Sequence, residues 1–142
     1  MPPSRRRALA TRAAARRMAA LTGTGVGDLV GYQTRDERRI GPATRIEVLT
    51  EGVLTRRLQQ DPELPGVAAV LFDEVHERNL VTDLSLALVT DARSGLRPDL
   101  RVLAMSATVD ADRFARVLGG DDPASVLRTG GRPFPVECGR RA

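Results

Sequence analysis

The hydrophobic pattern divides the chain into segments of helix length and segments of strand length. The Ala-rich segment 5–21 contains no Gly or Pro, which predicts a helix. Its Ala14, Met18 and Leu21 recur at helical spacing and are expected to face a core. Short continuous apolar runs such as 67–72 predict strands that are buried on both faces. The predicted strands are 46–49, 67–72, 101–105 and 126–128. The predicted helices are 5–21, 53–60, 80–93 and 110–118.

Strands that alternate with helices predict the fold class, an α/β protein whose parallel sheet carries helices on both faces. The polar residues 33–44 predict a connecting loop or hairpin within this pattern. Ligands of parallel sheets bind at the carboxyl ends of the strands. The polar segments that follow the predicted strands are Thr50-Glu51-Gly52, Asp73-Glu74 and Ser106-Ala107-Thr108. We expect all three segments to lie along one edge of the sheet.

The composition excludes several kinds of chemistry. All 22 basic residues are Arg, the net charge is +4, and the chain has one His and one Cys. Without Lys there is neither a Schiff-base lysine nor the phosphate-binding lysine of a P-loop. The single Cys138 excludes an internal disulfide, and with one His it excludes the usual zinc sites. The sequence has no apolar run of bilayer length and no signal-peptide pattern, so we expect a soluble, cytoplasmic protein.

The basic residues are concentrated near the N-terminus, where no acidic residue precedes Asp28. Guanidinium groups pair well with phosphates and give salt-dependent binding to nucleic acid. A solvated basic helix face and an organellar transit peptide are two other interpretations of this segment.

Two adjacent carboxylates, Asp73 and Glu74, follow the apolar run 67–72. Unpaired charges are costly to bury, and a hard cation such as Mg²⁺ would compensate them. In phosphoryl transfer one carboxylate can help to hold the metal while the other polarises the attacking water. The alternative is a solvated strand end or the N-cap of the following helix.

The residues after these acids carry a resemblance to a known family. Asp73-Glu74-Val75-His76-Glu77-Arg78 resembles the Walker B motif of the DEAH/DExH-box superfamily 2 helicases, and the chain is most similar to those of the bacterial HrpB type. The other matching segments are Gly31-Tyr32-Gln33-Thr34-Arg35, Thr50-Glu51-Gly52 (motif Ib), Ser106-Ala107-Thr108 (motif III), Leu9–Ala15 and Gly131–Glu137. They occur in family order and together span most of the chain.

The resemblance implies roles for particular residues. Asp73 would bind Mg²⁺ through water, and Glu74 would activate the hydrolytic water. Four residues would couple the ATP state to the rest of the protein: His76, Arg78, Ser106 and Thr108. The nucleic-acid strand would be contacted by Arg7, Arg12, Thr50, Glu51 and Gly52. Residues 1–130 would be part of the first RecA-like domain, and 131–142 would begin the linker to a second one.

The resemblance is incomplete at both ends. The 142 residues contain neither a G-x-x-x-x-G-K-[ST] segment ahead of the acids nor a second RecA-like domain. We therefore expect an incomplete RecA-like, P-loop NTPase-type domain that lacks its P-loop strand. The chain would be a fragment of an ATP-dependent RNA or DNA helicase that uses ATP and Mg²⁺ in its complete form. By itself it would be inactive and weakly stable.

A second function stays open at this point, namely a non-catalytic remnant that binds nucleic acid through the Arg-rich helix. A third, an unrelated metal-carboxylate hydrolase, is disfavoured because no other acids or His residues cluster as ligands.

Overall fold

The computed structural model describes residues 3–75, 80–107, 111–119 and 122–128 of the chain. They belong to two compact units, Met1–Ala107 and Thr108–Ala142, which are described separately. The helices are α1 (Pro3–Leu21), α2 (Glu51–Gln60), α3 (Leu80–Gly95) and α4 (Ala111–Gly119). The strands are β1 (Val30–Gln33), β2 (Arg38–Arg39), β3 (Ile46–Leu49), β4 (Ala69–Phe72) and β5 (Arg101–Ala104).

The α/β fold class with parallel strand pairs is confirmed, but the described strands of the first unit form two sheets. One has the order β2-β1-β3, and the other pairs β4 with β5. The pairs β1–β3 and β4–β5 are parallel. Helix α3 joins β4 to β5, as is usual for parallel strands, whereas β1 is joined to β3 through β2. Strands β1 and β2 are antiparallel, so the polar stretch 33–44 contains a hairpin.

The prediction that 67–72 is buried on both faces is wrong for β4. Val70 and Phe72 are buried, whereas Leu71 between them is 58% exposed. Strand β5 has the same character, because Leu103 is 49% exposed. Successive side chains of a strand point to opposite faces, so each strand has one covered face and one uncovered face.

The core of the sheet β2-β1-β3 lies against α1. Ala15 and Ala19 of the helix and Val30 and Tyr32 of β1 are buried together. Small residues four positions apart on one helix face let the helix approach the sheet closely. The prediction that Ala14, Met18 and Leu21 face the core is wrong for two of these three residues. Met18 packs against this core, but Ala14 is exposed and Leu21 is 69% exposed.

Helices α2 and α3 are joined by a hydrogen bond between two buried hydroxyl groups. Thr55 Oγ1 and Ser85 Oγ lie 2.6 Å apart. Each hydroxyl oxygen also lies within hydrogen-bond distance of a carbonyl of its own helix, Thr55 of Glu51 at 3.0 Å and Ser85 of Val81 at 2.8 Å, and the two hydroxyl protons are shared among these three contacts. This contact links the helix that follows β3 to the helix that follows the Asp73-Glu74 turn. None of the helices within the described ranges is long and apolar enough to cross a membrane.

In the second unit, α4 buries Ala115 and Leu118. The chain then folds back, and the Ala124 N–H donates to the Ala115 carbonyl at 2.9 Å. A Cβ at Gly119 would lie 2.3 Å from the Ala124 nitrogen, so glycine permits this close approach. The predicted strand at 126–128 is wrong, since these residues have no regular secondary structure, and Leu127 is 93% exposed.

Candidate functional site

The two parallel strands β4 and β5 end together and present polar residues at one edge. Phe72, the last residue of β4, is in register with Ala104, the last residue of β5. Beyond that point the Met105 N–H donates to the Phe72 carbonyl at 2.8 Å, and the Val75 N–H donates to the Met105 carbonyl at 3.2 Å. The backbone of the Asp73-Glu74 turn is thereby fixed beside the segment that leads to Ser106.

The acidic turn has an unusual backbone. Glu74 has a φ of +54°, in the left-handed region that non-glycine residues rarely adopt. Its N–H donates to Asp73 Oδ1 at 3.0 Å, and the following Val75 is buried. Both carboxylate residues are exposed. Strained backbone of this kind is concentrated at functional sites, where the surrounding structure maintains it.

The donor chemistry of this turn fits a hard divalent cation only in part. Carboxylate oxygens are suitable ligands, and Mg²⁺ often binds one or two carboxylates while it keeps several waters. Within the described ranges no group of three or more His, Cys, Asp or Glu residues could hold a metal ion by itself. An ion at Asp73 would therefore complete its coordination with water or with phosphate oxygens. The predicted coupling residues His76, Arg78 and Thr108 lie outside the described residues.

The second predicted segment, Thr50-Glu51-Gly52, joins β3 to α2. Thr50 is the N-cap residue, and its side chain makes no capping hydrogen bond. The Thr50 N–H donates to the Gln33 carbonyl at 3.3 Å, which fixes the segment beside the end of β1. A Cβ at Gly52 would meet nothing within 4 Å, so the first turn of α2 is open on that side.

The predicted nucleic-acid residues of α1 make ion pairs with acidic residues. Arg7 Nε lies 3.6 Å from Glu51 Oε1, so the structure brings two of the predicted residues together. Arg12 Nη1 lies 3.4 Å from Glu37 Oε2. These acidic partners offset part of the positive charge that the sequence places on this helix.

Glu37 is the centre of a small polar cluster beneath α1. The Tyr32 hydroxyl donates to Glu37 Oε1 at 2.7 Å, and Arg39 Nε lies 3.6 Å from the same oxygen. The hydrogen bond from Tyr32 is the main reason that the pKa of Glu37 is lowered, and Arg12 lowers that pKa further. The same bond to a carboxylate raises the pKa of Tyr32.

Sequence reasoning missed a groove at the junction of β1, β3 and α2. Its volume is about 510 Å³, and its lining contains three Arg residues and no acidic residue. The lining residues are Gln33, Thr34, Arg35, Thr50, Gly52, Val53, Arg56, Arg57 and Gln60. They come from two separate segments of the sequence. One signal could have indicated the groove, namely the four-residue spacing of Gly52, Arg56 and Gln60 on one helix face.

The chain is similar to several helicases. ATP-dependent RNA helicase HrpB of Escherichia coli is 53% identical to it over 131 residues, which are 92% of this chain and 16% of that protein. DExH-box ATP-dependent RNA helicase DExH1 of Arabidopsis thaliana is 41% identical over 122 residues, 86% of this chain and 12% of that protein. No protein-family model matches the chain.

The structure agrees with the sequence comparison. The crystal structure of the Escherichia coli DEAH/RHA helicase HrpB superposes with a TM-score of 0.81 at 52% identity, covering 92% of this chain and 16% of that one. The chain thus spans about a sixth or less of the length of these relatives. Over most of its own length the chain is homologous to the DExH-box helicases.

Proposed function

We propose that this chain is part of the first RecA-like domain of an ATP-dependent RNA or DNA helicase that acts in the cytoplasm. Residues 1–130 would form that part, and residues 131–142 would begin the linker to a second RecA-like domain. The observation that carries the proposal is the junction of Asp73-Glu74 with the segment leading to Ser106, at the ends of two parallel strands. The 53% identity to a protein named as an RNA helicase supports it.

In this proposal each of the two carboxylates has a separate role. Asp73 would hold Mg²⁺ through water, and Glu74 would accept a proton from the attacking water as a general base. Bound Mg²⁺ and ATP would supply the phosphoanhydride and the charge neutralisation of phosphoryl transfer. Four residues would transmit the ATP state to the nucleic-acid surface: His76, Arg78, Ser106 and Thr108.

The residues present do not fit the triphosphate of ATP by themselves. The chain has no Lys and no G-x-x-x-x-G-K-[ST] segment ahead of Asp73, and these supply the phosphate-binding backbone and cation in P-loop enzymes. Transfer of a phosphoryl group depends on positioning and charge stabilisation, so the acids alone should give negligible turnover. We infer that activity requires a P-loop segment and a second RecA-like domain in addition to these 142 residues.

The uncovered strand faces agree with this inference. Leu71 on β4 and Leu103 on β5 are about half exposed, which is unusual for adjacent apolar residues of a parallel sheet. In the described structure β5 pairs only with β4, and β3 pairs only with β1. Further strands and helices of a complete RecA-like domain would cover these surfaces.

A chimeric helicase tests the proposal. The 131 aligned residues of Escherichia coli HrpB would be replaced by those of this chain, and nucleic-acid-stimulated ATPase activity would be measured. We expect activity in the chimera and none in the isolated chain. ATPase activity in the isolated chain, or a folded chimera that binds ATP without hydrolysing it, would contradict the proposal.

A second candidate function is binding of nucleic acid without catalysis, which the Arg-lined groove favours. It predicts that the isolated chain binds single-stranded RNA or DNA in a salt-dependent manner. Binding would be unchanged in Asp73→Asn and Glu74→Gln, since neither residue lines the groove. Fluorescence anisotropy with a labelled oligonucleotide measures this directly.

A further inference from the structure

Buried hydroxyl groups connect the two helices that follow the predicted functional segments. Helix α2 begins within the Thr50-Glu51-Gly52 segment, and α3 begins shortly after the motif Asp73–Arg78. Thr55 lies about one turn into α2, and Ser85 lies about one and a half turns into α3. The two residues (the hydroxyl pair) are thus close to the helix ends at which the predicted sites lie.

The hydroxyl pair makes an unbroken series of hydrogen-bonding contacts between these helix ends. Thr55 Oγ1 lies 3.0 Å from the Glu51 carbonyl oxygen and 2.6 Å from Ser85 Oγ. Ser85 Oγ lies 2.8 Å from the Val81 carbonyl oxygen. Glu51 is the middle residue of the predicted nucleic-acid segment, and Val81 is the second residue of α3. The series therefore starts inside one functional segment and ends at the helix that follows the other.

The hydroxyl pair has two arrangements that keep the bond between the helices. In one, Thr55 donates to the Glu51 carbonyl and accepts from Ser85. In the other, Ser85 donates to the Val81 carbonyl and accepts from Thr55. A change at either carbonyl therefore changes which arrangement is favoured at the opposite end. An element with two discrete arrangements is what energetic coupling between two sites requires.

Burial makes the arrangement of the hydroxyl pair energetically important. Ser85 is fully buried, and Thr55 is 9% exposed. In such surroundings hydrogen-bonded groups polarise one another, and a polar group that loses its partner is not compensated by bulk water. A shift of the Glu51 carbonyl is therefore resisted by the hydroxyl pair or transmitted through it.

We propose that Thr55 and Ser85 are positioning residues through which a bound nucleic-acid strand raises the rate of ATP hydrolysis. A shift of the Glu51 carbonyl passes through the two hydroxyls to the start of α3 and so to the motif that precedes this helix. Neither residue touches ATP or the strand in this scheme. The inference rests on the proposed function, and it adds two residues that lie outside every motif named above.

The test uses the chimeric helicase, because coupling is visible only where both basal and strand-stimulated ATPase rates are measured. Thr55→Val keeps the shape of the side chain and removes the hydroxyl, whereas Thr55→Ser keeps the hydroxyl and removes a methyl group. Ser85→Ala removes the second hydroxyl. ATPase rates are measured against the concentration of an oligouridylate, and helical content is checked by circular dichroism.

The matched controls are Thr90→Val and Ser94→Ala. Both residues belong to α3, and each hydroxyl donates to a carbonyl of that helix, at 2.8 and 2.9 Å respectively. Neither hydroxyl bonds to a hydroxyl of another helix among the residues that the structure describes. The controls therefore remove the same bond within α3 and leave the contact between α2 and α3 intact.

We expect Thr55→Val and Ser85→Ala to lower the ratio of stimulated to basal rate about three- to tenfold, within the range for single residues of a coupling network. The basal rate, the affinity for the oligouridylate without nucleotide and both controls should stay within about twofold of the parent chimera. Thr55→Ser should keep the parent ratio. The double variant should lose no more than the more affected single variant, because either change breaks the same series of contacts.

The results separate this inference from the proposal on which it rests. If loss of a hydroxyl lowers basal and stimulated rates by the same factor, the hydroxyl pair is only structural and the inference is wrong. It is also wrong if Thr55→Val and Ser85→Ala keep the parent ratio, or if Thr55→Ser loses it as Thr55→Val does. In each of these cases the proposed function stands. A folded parent chimera without ATPase activity would overturn both.

Discussion

The hydroxyl contact between α2 and α3 predicts a local effect of Ser85→Ala. Thr55 Oγ1 and Ser85 Oγ make three contacts, one with each other and one with a carbonyl of each helix. Two hydroxyl groups carry only two protons, so only two of the three contacts can be hydrogen bonds at any moment. The variant removes Ser85 from the network, and the Thr55 hydroxyl remains satisfied by the Glu51 carbonyl.

The cost should therefore be that of one net hydrogen bond. It is about 1 kcal/mol, rather than the larger penalty of a buried polar group left without a partner. Ser85 is fully buried and loses only a hydroxyl, so the cavity left behind is small. A free-energy change of about 1 kcal/mol corresponds to a roughly fivefold change in the opening equilibrium.

Amide hydrogen exchange with mass spectrometry measures this change by segment. We expect protection of α2 and α3 to fall about fivefold in Ser85→Ala, with α1 as the internal reference. Ser94→Ala is the matched control, because Ser94 makes the same kind of bond to its own helix at Thr90 but is exposed and has no partner hydroxyl. Adding Thr55→Val to Ser85→Ala should cost less than the sum of the single changes.

Two results would refute this reasoning. If Ser94→Ala has the same effect as Ser85→Ala, the contact between the two helices has no energetic role. If protection of α1 falls together with that of α2 and α3, the hydroxyl pair does not stabilise α2 and α3 selectively.

Three further predictions concern stability. Gly31→Ala should lower the local opening free energy of the sheet β2-β1-β3 by about 1–3 kcal/mol in amide hydrogen exchange, because its Cβ would lie 2.4 Å from the Arg39 carbonyl oxygen, whereas Gly52→Ala should be neutral or stabilising for α2. The bond between Tyr32 and Glu37 should lose its stabilising contribution as pH falls through the folded-state pKa of Glu37, which lies below 4.5. It should also lose it as pH rises through the folded-state pKa of Tyr32, which lies above 10.0. Tyr32→Phe should flatten both limbs of the stability–pH curve. The isolated chain should show a broad thermal transition without two-state character, and a sharp two-state melt of the monomer would contradict this expectation.

The sequence was sufficient to predict most elements because their ends carry strong local signals. Helix α3 begins at Leu80, as predicted, and α2 begins at Glu51 rather than 53 because Thr50 already serves as its N-cap. The position of Asp73 and Glu74 at a strand end followed from the apolar run that precedes them. The sequence also predicted that these acids and the segment beginning at Ser106 lie at one edge of the sheet, and the bond from the Met105 N–H to the Phe72 carbonyl agrees with this prediction.

Other features depend on contacts that a single sequence does not display. The exposure of Leu71 depends on what covers each face of the sheet, and the apolar run 67–72 is compatible with one covered face or two. The face of α1 that packs inward was set by the small residues Ala15 and Ala19, not by the larger Leu21. The Arg-lined groove arises where separate segments meet, so the spacing of Gly52, Arg56 and Gln60 indicates only the side of it that α2 contributes.

The most direct test of the central claim is the steady-state ATPase rate of the chimeric helicase with Glu74→Gln. The control is Glu63→Gln, which changes the charge equally at an exposed residue away from the acidic turn. If Glu74 is the general base, its replacement should lower kcat by about 10²–10⁴-fold, while Glu63→Gln retains the parent rate. A chimera with Glu74→Gln that hydrolyses ATP at the parent rate would contradict the assignment of this turn as the catalytic site.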